Sequence, residues 1–400
     1  MRKELTVCGL ILITLGCTNS GSKVFKESSI VEDLCQILTI TGDISSDLQV
    51  DSIFDMIEAI PLVETKDKYL ITEIIKARIV DEMLILQDKA ERLFVFDLHG
   101  KFLNEISAKG RGPGEFSELR DFEIDNEKHL YILDFERIHI YSIDGAYIKT
   151  IRYSFSPENE VYCNPIQFAV AEPNRFYIWG GSFGINENED GKHFAMYELD
   201  DQGKVRNRYF PVNHVILDDR SRFSTISDTI LINPVFGSYD VYSIDNVCVK
   251  KRYHVDFGEK AMPVSIPPGF QSLATFKDNV DKQYYHSIKR WTESSEWIYF
   301  MFFTKDRAYN ASYSKRLKKS FLSRQWPLVE GEIAPYSILF QHNEQMISFC
   351  NPQYLLEQME ACKKKNFDLL SSSARENLIR LRNIKISDNP VLIFCSMKKY

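Results

Sequence analysis

Residues 93–106 read LFVFDLHGKFLNEI and residues 138–151 read IHIYSIDGAYIKTI, so the second stretch repeats the apolar pattern of the first at an offset of 45 residues. Each stretch alternates apolar and polar residues, passes a glycine (Gly100 or Gly145) and alternates again, which is typical of a β-hairpin. Two further alternating segments precede each hairpin. A four-stranded unit that recurs about every 45 residues predicts the blades of a β-propeller.

The same pattern recurs more loosely along the rest of the chain. It indicates four more units, in residues 168–210, 225–255, 291–313 and 337–350. Lone strands predicted at residues 56–63 and 389–397 lack hairpins of their own. If these strands pair in the sixth unit, the ring closes without an open sheet edge. We therefore predict an all-β fold, a six-bladed β-propeller of four-stranded blades over residues 51–400.

Residues 353–382 depart from the β pattern. Leu355, Met359 and Cys362 recur at helical spacing, and a second apolar group follows a serine-rich break at residues 371–373. This periodicity predicts one or two helices. We expect a helical insertion packed on the propeller; a helix that lies on a membrane or binds a partner is the alternative.

The composition agrees with a folded β protein. Of the 400 residues, 44% are hydrophobic, 26% are charged and 13% are aromatic, which excludes collagen-like and wholly disordered chains. Aromatic side chains favour strands over helices. The net charge of −7 argues against a nucleic-acid-binding protein, because no basic excess would offset phosphate repulsion.

The amino terminus has the pattern of an export signal. Arg2 and Lys3 precede an apolar stretch over residues 5–16, which is too short to span a membrane. The following TLGC, with Cys17 last, resembles the lipobox of bacterial lipoproteins, in which this cysteine is acylated. We predict a signal peptide over residues 1–16 and a flexible tether and extension over residues 17–50. A plain secretory signal with an incidental cysteine is the alternative.

The remaining cysteines are scattered and form no disulfide framework. Cys248, Cys350 and Cys395 lie in apolar segments, which favours free buried thiols. A bridge between Cys35 and Cys163 remains open on the sequence.

Two motifs carry a resemblance to a known family. Residues 110–116 read GRGPGEF, and residues 389–392 read NPVL. With these motifs the chain resembles the six-bladed β-propeller lipoproteins related to NHL-repeat proteins of Gram-negative gut bacteria. The resemblance covers nearly the whole mature chain. Resemblance to Gram-negative lipoprotein sorting, with Thr18 after the cysteine, further implies an outer-membrane anchor that faces the periplasm.

The GRGPGEF segment also supplies the candidate binding loop. Its glycines and Pro113 fit a tight connection, which is a structural role. Arg111 is dictated by no backbone requirement, and together with Glu115 it is our candidate for contact with an anionic or sugar group. Binding residues concentrate on loops held by a rigid scaffold.

Other motifs are weaker. Asn186, Asn188 and Asp190 give a partial calcium-loop pattern, but Tyr197 occupies the place of the bidentate glutamate. Ser182 lies in a GxSxG match, but a polar segment follows it where a nucleophile elbow needs a helix. The sequence has no zinc, P-loop or dinucleotide motif, so we predict no required cofactor, with Ca²⁺ as an alternative.

The sequence as a whole predicts a monomeric, lipid-anchored protein of the cell envelope that binds a ligand or acts as a scaffold. A propeller offers a central channel and two loop faces, and the expected ligand is a glycan, a peptide or another protein. The alternative is a calcium-dependent propeller hydrolase, lactonase or lyase. Of these two, we favour the binding or scaffold protein without catalytic activity.

Overall fold

The fold is described from a computed structural model, which covers residues 30–31, 35–42, 44, 53–63, 70–106, 109–153, 164–171, 175–181, 193–212, 221–226, 229–234, 238–245, 248–262, 284–304, 307–324, 335, 337–364 and 367–399. Six antiparallel sheets follow one another along the chain, and each holds four blade strands. The predicted six-bladed all-β propeller is therefore confirmed.

The chain enters the propeller through two strands that join later sheets, β1 (Gln36–Thr39) and β2 (Phe54–Pro61). Blade 1 contains β3 (Ile74–Val80), β4 (Met83–Asp88), β5 (Leu93–Asp97) and β6 (Phe102–Ile106). Blade 2 contains β7 (Asp121–Ile124), β8 (His129–Asp134), β9 (Arg137–Ser142) and β10 (Tyr147–Arg152). Blade 3 contains β11 (Asn164–Ala171), β12 (Arg175–Gly181), β13 (His193–Leu199) and β14 (Val205–Val212).

Blade 4 contains β15 (Phe223–Ile226), β16 (Thr229–Ile232), β17 (Asp240–Ile244) and β18 (Val249–Asp256). Blade 5 contains β19 (His286–Glu293), β20 (Trp297–Thr304), β21 (Arg307–Ser314) and β22 (Lys319–Ser323). Blade 6 contains β23 (Ile338–His342), β24 (Gln345–Cys350) and β25 (Val391–Met397), with β2 as its fourth strand. The first strands of the six blades contact one another in a closed ring, which places them around the central channel.

The ring closes by pairing the two ends of the chain, as predicted. Strand β2 is antiparallel to β25, with Ala59 opposite Ile393. Asn389, two residues before β25, accepts a hydrogen bond from the backbone N–H of Ile71 at 2.8 Å. This bond ties the carboxyl-terminal segment to the approach to β3. Closure joins strands that lie more than 300 residues apart, so folding must bring both chain ends together.

The helical insertion covers the outer edge of blade 6. Helices α1 (Pro352–Lys363) and α2 (Ser372–Arg380) confirm the prediction of one or two helices. In α2, the buried Asn377 accepts from the N–H of Ala59 at 2.9 Å and donates to the carbonyl of Ile57 at 2.8 Å. These bonds satisfy backbone groups of the edge strand β2 that another chain could otherwise pair with. No helix in the described part of the chain is long and apolar enough to cross a membrane.

A fifth strand extends blade 4. Strand β1 pairs in parallel with β18, and its Leu38 is fully buried. Just beyond β1, Ser320 of blade 5 donates to the carbonyl of Thr41 at 2.6 Å. Residues 36–39 lie inside the range that the sequence assigned to a tether and extension. They form a strand here because the outer edge of β18 offers unpaired backbone groups.

Aromatic and aliphatic side chains fill the spaces between blades. Trp179, Trp291 and Trp297 are all fully buried, and Trp291 stacks on Phe300 with ring centroids 5.3 Å apart. This packing accounts for the aromatic content of the chain. Cys35, Cys248, Cys350, Cys362 and Cys395 are free thiols. Cys163 lies outside the described residues.

Candidate functional site

A cavity of about 270 Å³ lies in the central channel. Its walls come mainly from the first strands of blades 1, 3, 4, 5 and 6, and Asn233 follows the second strand of blade 4. Polar and charged lining residues include Lys76, Arg78, Gln167, Ser224, Asn233 and Arg290. Because the channel sits on the axis of a rigid ring, groups from five blades face one space that a small ligand could fill.

β-bulges shape this channel. Strands β3, β11 and β23 each contain one register shift against their neighbours, and β19 contains two. The extra residues in β3 and β23 are Ile75 and Leu339, and both line the cavity. A bulge places two successive residues opposite one, so it redirects side chains along the strand. The inner wall therefore departs from regular pleating at the cavity.

The backbone of β19 is the most strained part of this wall. Ser287 and Arg290 have φ values of 56° and 55°, one at each bulge. Residues with a β-carbon rarely adopt this left-handed region. Such strain persists only where the surrounding structure enforces it, and it concentrates at functional sites.

A four-charge cluster, made of Lys76, Arg78, Asp121 and Glu123, joins blades 1 and 2 beside the cavity. The Lys76 ammonium donates to Asp121 at 2.8 Å and to Glu123 at 2.6 Å. Arg78 donates to both carboxylate oxygens of Glu123, at 2.7 and 3.0 Å. All four side chains are buried or nearly so. The cluster is thus a compact ion network at the channel wall.

The two carboxylates of the cluster shift in opposite directions. Burial raises the pKa of Asp121 despite the neighbouring Lys76. Burial acts the same way on Glu123, but Arg78 and Lys76 outweigh it and lower the pKa of Glu123 below its usual value. Asp121 also accepts from the backbone N–H of Phe168 in blade 3 at 3.0 Å. The cluster therefore connects three consecutive blades.

Among the cationic residues that line the cavity, Arg290 lies outside the four-charge cluster. Its guanidinium donates to the Ser337 hydroxyl at 2.6 Å, and no ion pair to Arg290 occurs among the described residues. The adjacent Trp291 is 1% exposed and lines the cavity, and its indole N–H has no hydrogen-bond partner in the described part of the structure. A buried donor without a partner is costly, so an unpaired indole N–H marks a place where a polar group would be stabilised.

Neutral polar groups complete the wall. The side-chain amide oxygen of Gln167 accepts a hydrogen bond from the backbone N–H of Arg222 at 2.6 Å. The Ser224 hydroxyl donates to the Asn233 side chain at 3.3 Å. Both Gln167 and Asn233 are buried. The channel therefore combines charges, amides and a hydroxyl with apolar contacts from Phe223 and Trp291.

The two residues predicted for a binding loop lie elsewhere. The GRGPGEF segment connects β6 to β7, and neither Arg111 nor Glu115 lines the cavity. Glu115 folds back on its own loop and accepts from the N–H of Gly112 at 2.7 Å. A β-carbon at Gly110 would lie 2.0 Å from the Glu115 carboxylate, so Glu115 packs closely over its own loop. Arg111 is exposed.

Several other predicted residues lie outside the described part of the chain: Cys17, Ser182, Asn186, Asn188 and Asp190. The calcium and lipid-attachment hypotheses therefore stay predictions. Among the described residues, no three histidine, cysteine, aspartate or glutamate side chains are placed to hold a metal ion.

The sequence contains a signal for the four-charge cluster that belongs to none of the motifs above. Lys76 and Asp121 are 45 residues apart, as are Arg78 and Glu123, so they occupy the same positions in the two clearest repeats. Opposite charges at equivalent positions of adjacent blades meet across the blade interface. Arg290 carried no comparable signal, because its position depends on a bulge without glycine.

Comparisons with known proteins agree with this architecture. In solved structures, a Bacteroides fragilis protein described as a putative exported protein superposes with a TM-score of 0.68 at 17% identity, covering 91% of this chain and 100% of that one. A member of the DUF4221 family from Bacteroides vulgatus superposes with a TM-score of 0.51 at 11% identity, covering 87% and 98%. These similarities establish the fold alone.

No curated protein matches the chain. A family model described as a domain of unknown function, DUF4934, matches residues 35–396, which include β1 and every strand of the six blades except the last residue of β25. The chain belongs to the DUF4934 family.

Proposed function

We propose that this protein is a lipid-anchored protein of the cell envelope whose propeller binds a carbohydrate or peptide ligand in the central channel. The cavity of about 270 Å³ on the propeller axis carries the proposal. Its wall combines buried polar groups with a bulged and strained inner strand. A strained wall around a polar cavity is typical of a binding site held by a rigid scaffold.

Export and anchoring are supported by the amino terminus. Cys17 directly follows an apolar stretch of signal-peptide length, and a fold relative from Bacteroides fragilis is described as exported. Acyl chains on Cys17 would hold the propeller at the periplasmic face of the outer membrane without an apolar protein surface. The binding channel would then face solutes and macromolecules of the envelope.

Replacement of Cys17 tests the anchor. We expect Cys17→Ala to abolish incorporation of radiolabelled palmitate and to move the protein from the membrane fraction to the soluble periplasmic fraction, because the thiol is the acylation site. Cys35→Ala is the matched control and should leave labelling unchanged. Labelling that persists in Cys17→Ala would show that the protein is not a lipoprotein anchored at this residue.

Ligand binding can be tested by thermal unfolding of the full-length protein in detergent. Neutral monosaccharides, uronic acids and short peptides are added one class at a time at millimolar concentration. A ligand that binds only the folded state raises Tm, and a concentration of 100 Kd stabilises by about 2.7 kcal/mol. We expect at least one class to raise Tm in proportion to the logarithm of its concentration. If no class does so, the channel is not a carbohydrate or peptide site and the proposal is wrong.

A further inference from the structure

The charge balance of the channel depends on Arg290. In the four-charge cluster, Lys76 and Arg78 are matched by Asp121 and Glu123. Glu73, the carboxylate among the described lining residues, pairs with Lys89 at 2.9 Å. These pairs leave Arg290 as the lining cation without a carboxylate partner among the described residues. The cavity thus has an excess of one positive charge at a defined place.

The backbone holds Arg290 at this place. The register of β19 shifts between Lys289 and Thr292, and Arg290 within the shift has φ of 55°. A cation on the protein surface could be exposed to solvent without a bulge or a positive φ. A bulge at the channel wall that redirects an arginine has a cost in stability, because non-glycine residues avoid positive φ.

The donors near Arg290 suit a planar anion. A guanidinium has five N–H donors in a fixed fork, and among the described residues the Arg290 guanidinium donates only to Ser337. The neighbouring indole N–H of Trp291 is also unpartnered among the described residues. A carboxylate matches the guanidinium fork with two parallel hydrogen bonds. A phosphate carries a charge of about −1.5 to −2, which exceeds the single excess charge of the cavity.

The rest of the wall suits a hydroxylated ring. Gln167, Ser224 and Asn233 present amide and hydroxyl groups, while Phe223 and Trp291 add apolar contact. The cavity, at about 270 Å³, lies near the lower end of ligand pockets, which run from about 300 to 1,000 Å³. Its size therefore favours a single sugar ring over a chain.

We infer that the channel binds an acidic monosaccharide of the uronic acid type, with its carboxylate on Arg290 and its hydroxyls on the amide and hydroxyl groups of blades 3 and 4. The inference rests on the proposed function, because it names the ligand class of the same channel. It moves the recognition of the anionic group from the exposed loop residue Arg111 to a residue inside the ring.

Titration calorimetry of the full-length protein in detergent tests the inference. The probes are D-glucuronate, D-glucose, propionate and inorganic phosphate. Glucuronate and glucose share their ring and differ only in the carboxylate, whereas propionate has the carboxylate without the ring. We expect glucuronate to bind at least about tenfold more tightly than each of the other three, because only glucuronate satisfies both Arg290 and the neutral groups.

Three variants locate the contact. Arg290→Gln should weaken glucuronate binding at least about tenfold and remove its advantage over glucose. Trp291→Phe keeps an aromatic ring beside Phe300 but removes the indole N–H, and it should weaken binding severalfold. Arg111→Gln, the matched control on the exposed loop, should bind like the wild type. Urea unfolding of each variant verifies that the propeller is folded. If Arg290→Gln does not fold, Trp291→Phe still tests whether this part of the channel binds glucuronate.

The outcomes separate the two proposals. If glucose, propionate or phosphate binds as tightly as glucuronate, or if only peptides bind, the acidic-sugar inference is wrong while binding in the channel stands. If Arg111→Gln loses glucuronate and Arg290→Gln does not, the anion site is on the loop and the inference is wrong. If neither sugars nor peptides bind the wild type, the proposed function itself is wrong.

Discussion

Glu123→Ala is expected to lower the free energy of unfolding by about 3–5 kcal/mol, because it leaves the Arg78 charge without its acid, and Lys76 with Asp121 alone, in a buried site. Glu123 is 6% exposed and accepts hydrogen bonds from both cations. A buried charge that has lost its partner is among the most destabilising results of a single substitution. Urea unfolding at neutral pH measures the loss.

Two further variants separate the charge effect from general loss of packing. Glu91→Ala removes an exposed ion pair with Lys109 at 3.0 Å and should cost about 0–1 kcal/mol. The double variant Arg78→Met with Glu123→Leu removes a cation together with its acid and leaves Lys76 with Asp121. It should recover much of the stability that Glu123→Ala loses. If Glu123→Ala costs no more than Glu91→Ala, the cluster contributes little to stability.

Gly100→Ala is expected to cost about 2–5 kcal/mol, whereas Gly145→Ala at the equivalent position of the next repeat should cost about 1–2 kcal/mol. Both glycines have positive φ, 84° and 94°. A β-carbon at Gly100 would lie 2.0 Å from the carbonyl oxygen of Pro61, while nothing lies within 4 Å of one at Gly145. Gly145→Ala therefore incurs backbone strain alone, and Gly100→Ala adds a clash with blade 6.

The difference between Gly100→Ala and Gly145→Ala also tests the contact between blades 1 and 6, where the ring closes. The carbonyl of Gly100 accepts from the N–H of Val63 at 2.7 Å, so the turn after β5 is bonded to the segment that leaves β2. A turn displaced by Gly100→Ala should loosen this contact, and hydrogen exchange of the Val63 amide should speed up in that variant and not in Gly145→Ala. Equal losses of stability in both variants would contradict the close approach of blades 1 and 6.

Much of the fold was predictable because its signals are local. The alternation around Gly100 and Gly145 predicted hairpins, their spacing predicted blades, and the two lone strands predicted closure of the ring. Helical periodicity in residues 353–382 predicted α1 and α2. Each of these patterns concerns residues close in sequence or a simple count of strands, and the structure confirms them.

The candidate site was less predictable. Glu115 drew attention as a polar residue in a glycine-rich loop, yet its carboxylate accepts from its own loop at Gly112. Strand β1 was missed because four residues, mostly exposed, give a weak pattern, and its pairing depends on the distant edge of β18. The opposite charges of Lys76 and Asp121 were visible at equivalent repeat positions, but their meaning depends on adjacent blades facing each other.

The sequence by itself determined the architecture of this protein: repeated four-stranded units, a ring closed by its ends, and helices near the carboxyl end. Only the tertiary structure decided which side chains share the channel. Those side chains belong to strands separated by tens to hundreds of residues, and Arg290 reaches the cavity wall through a bulge at positive φ that no glycine announces. Alternation along a strand is set by local backbone geometry, whereas the channel exists only where six strands meet around one axis.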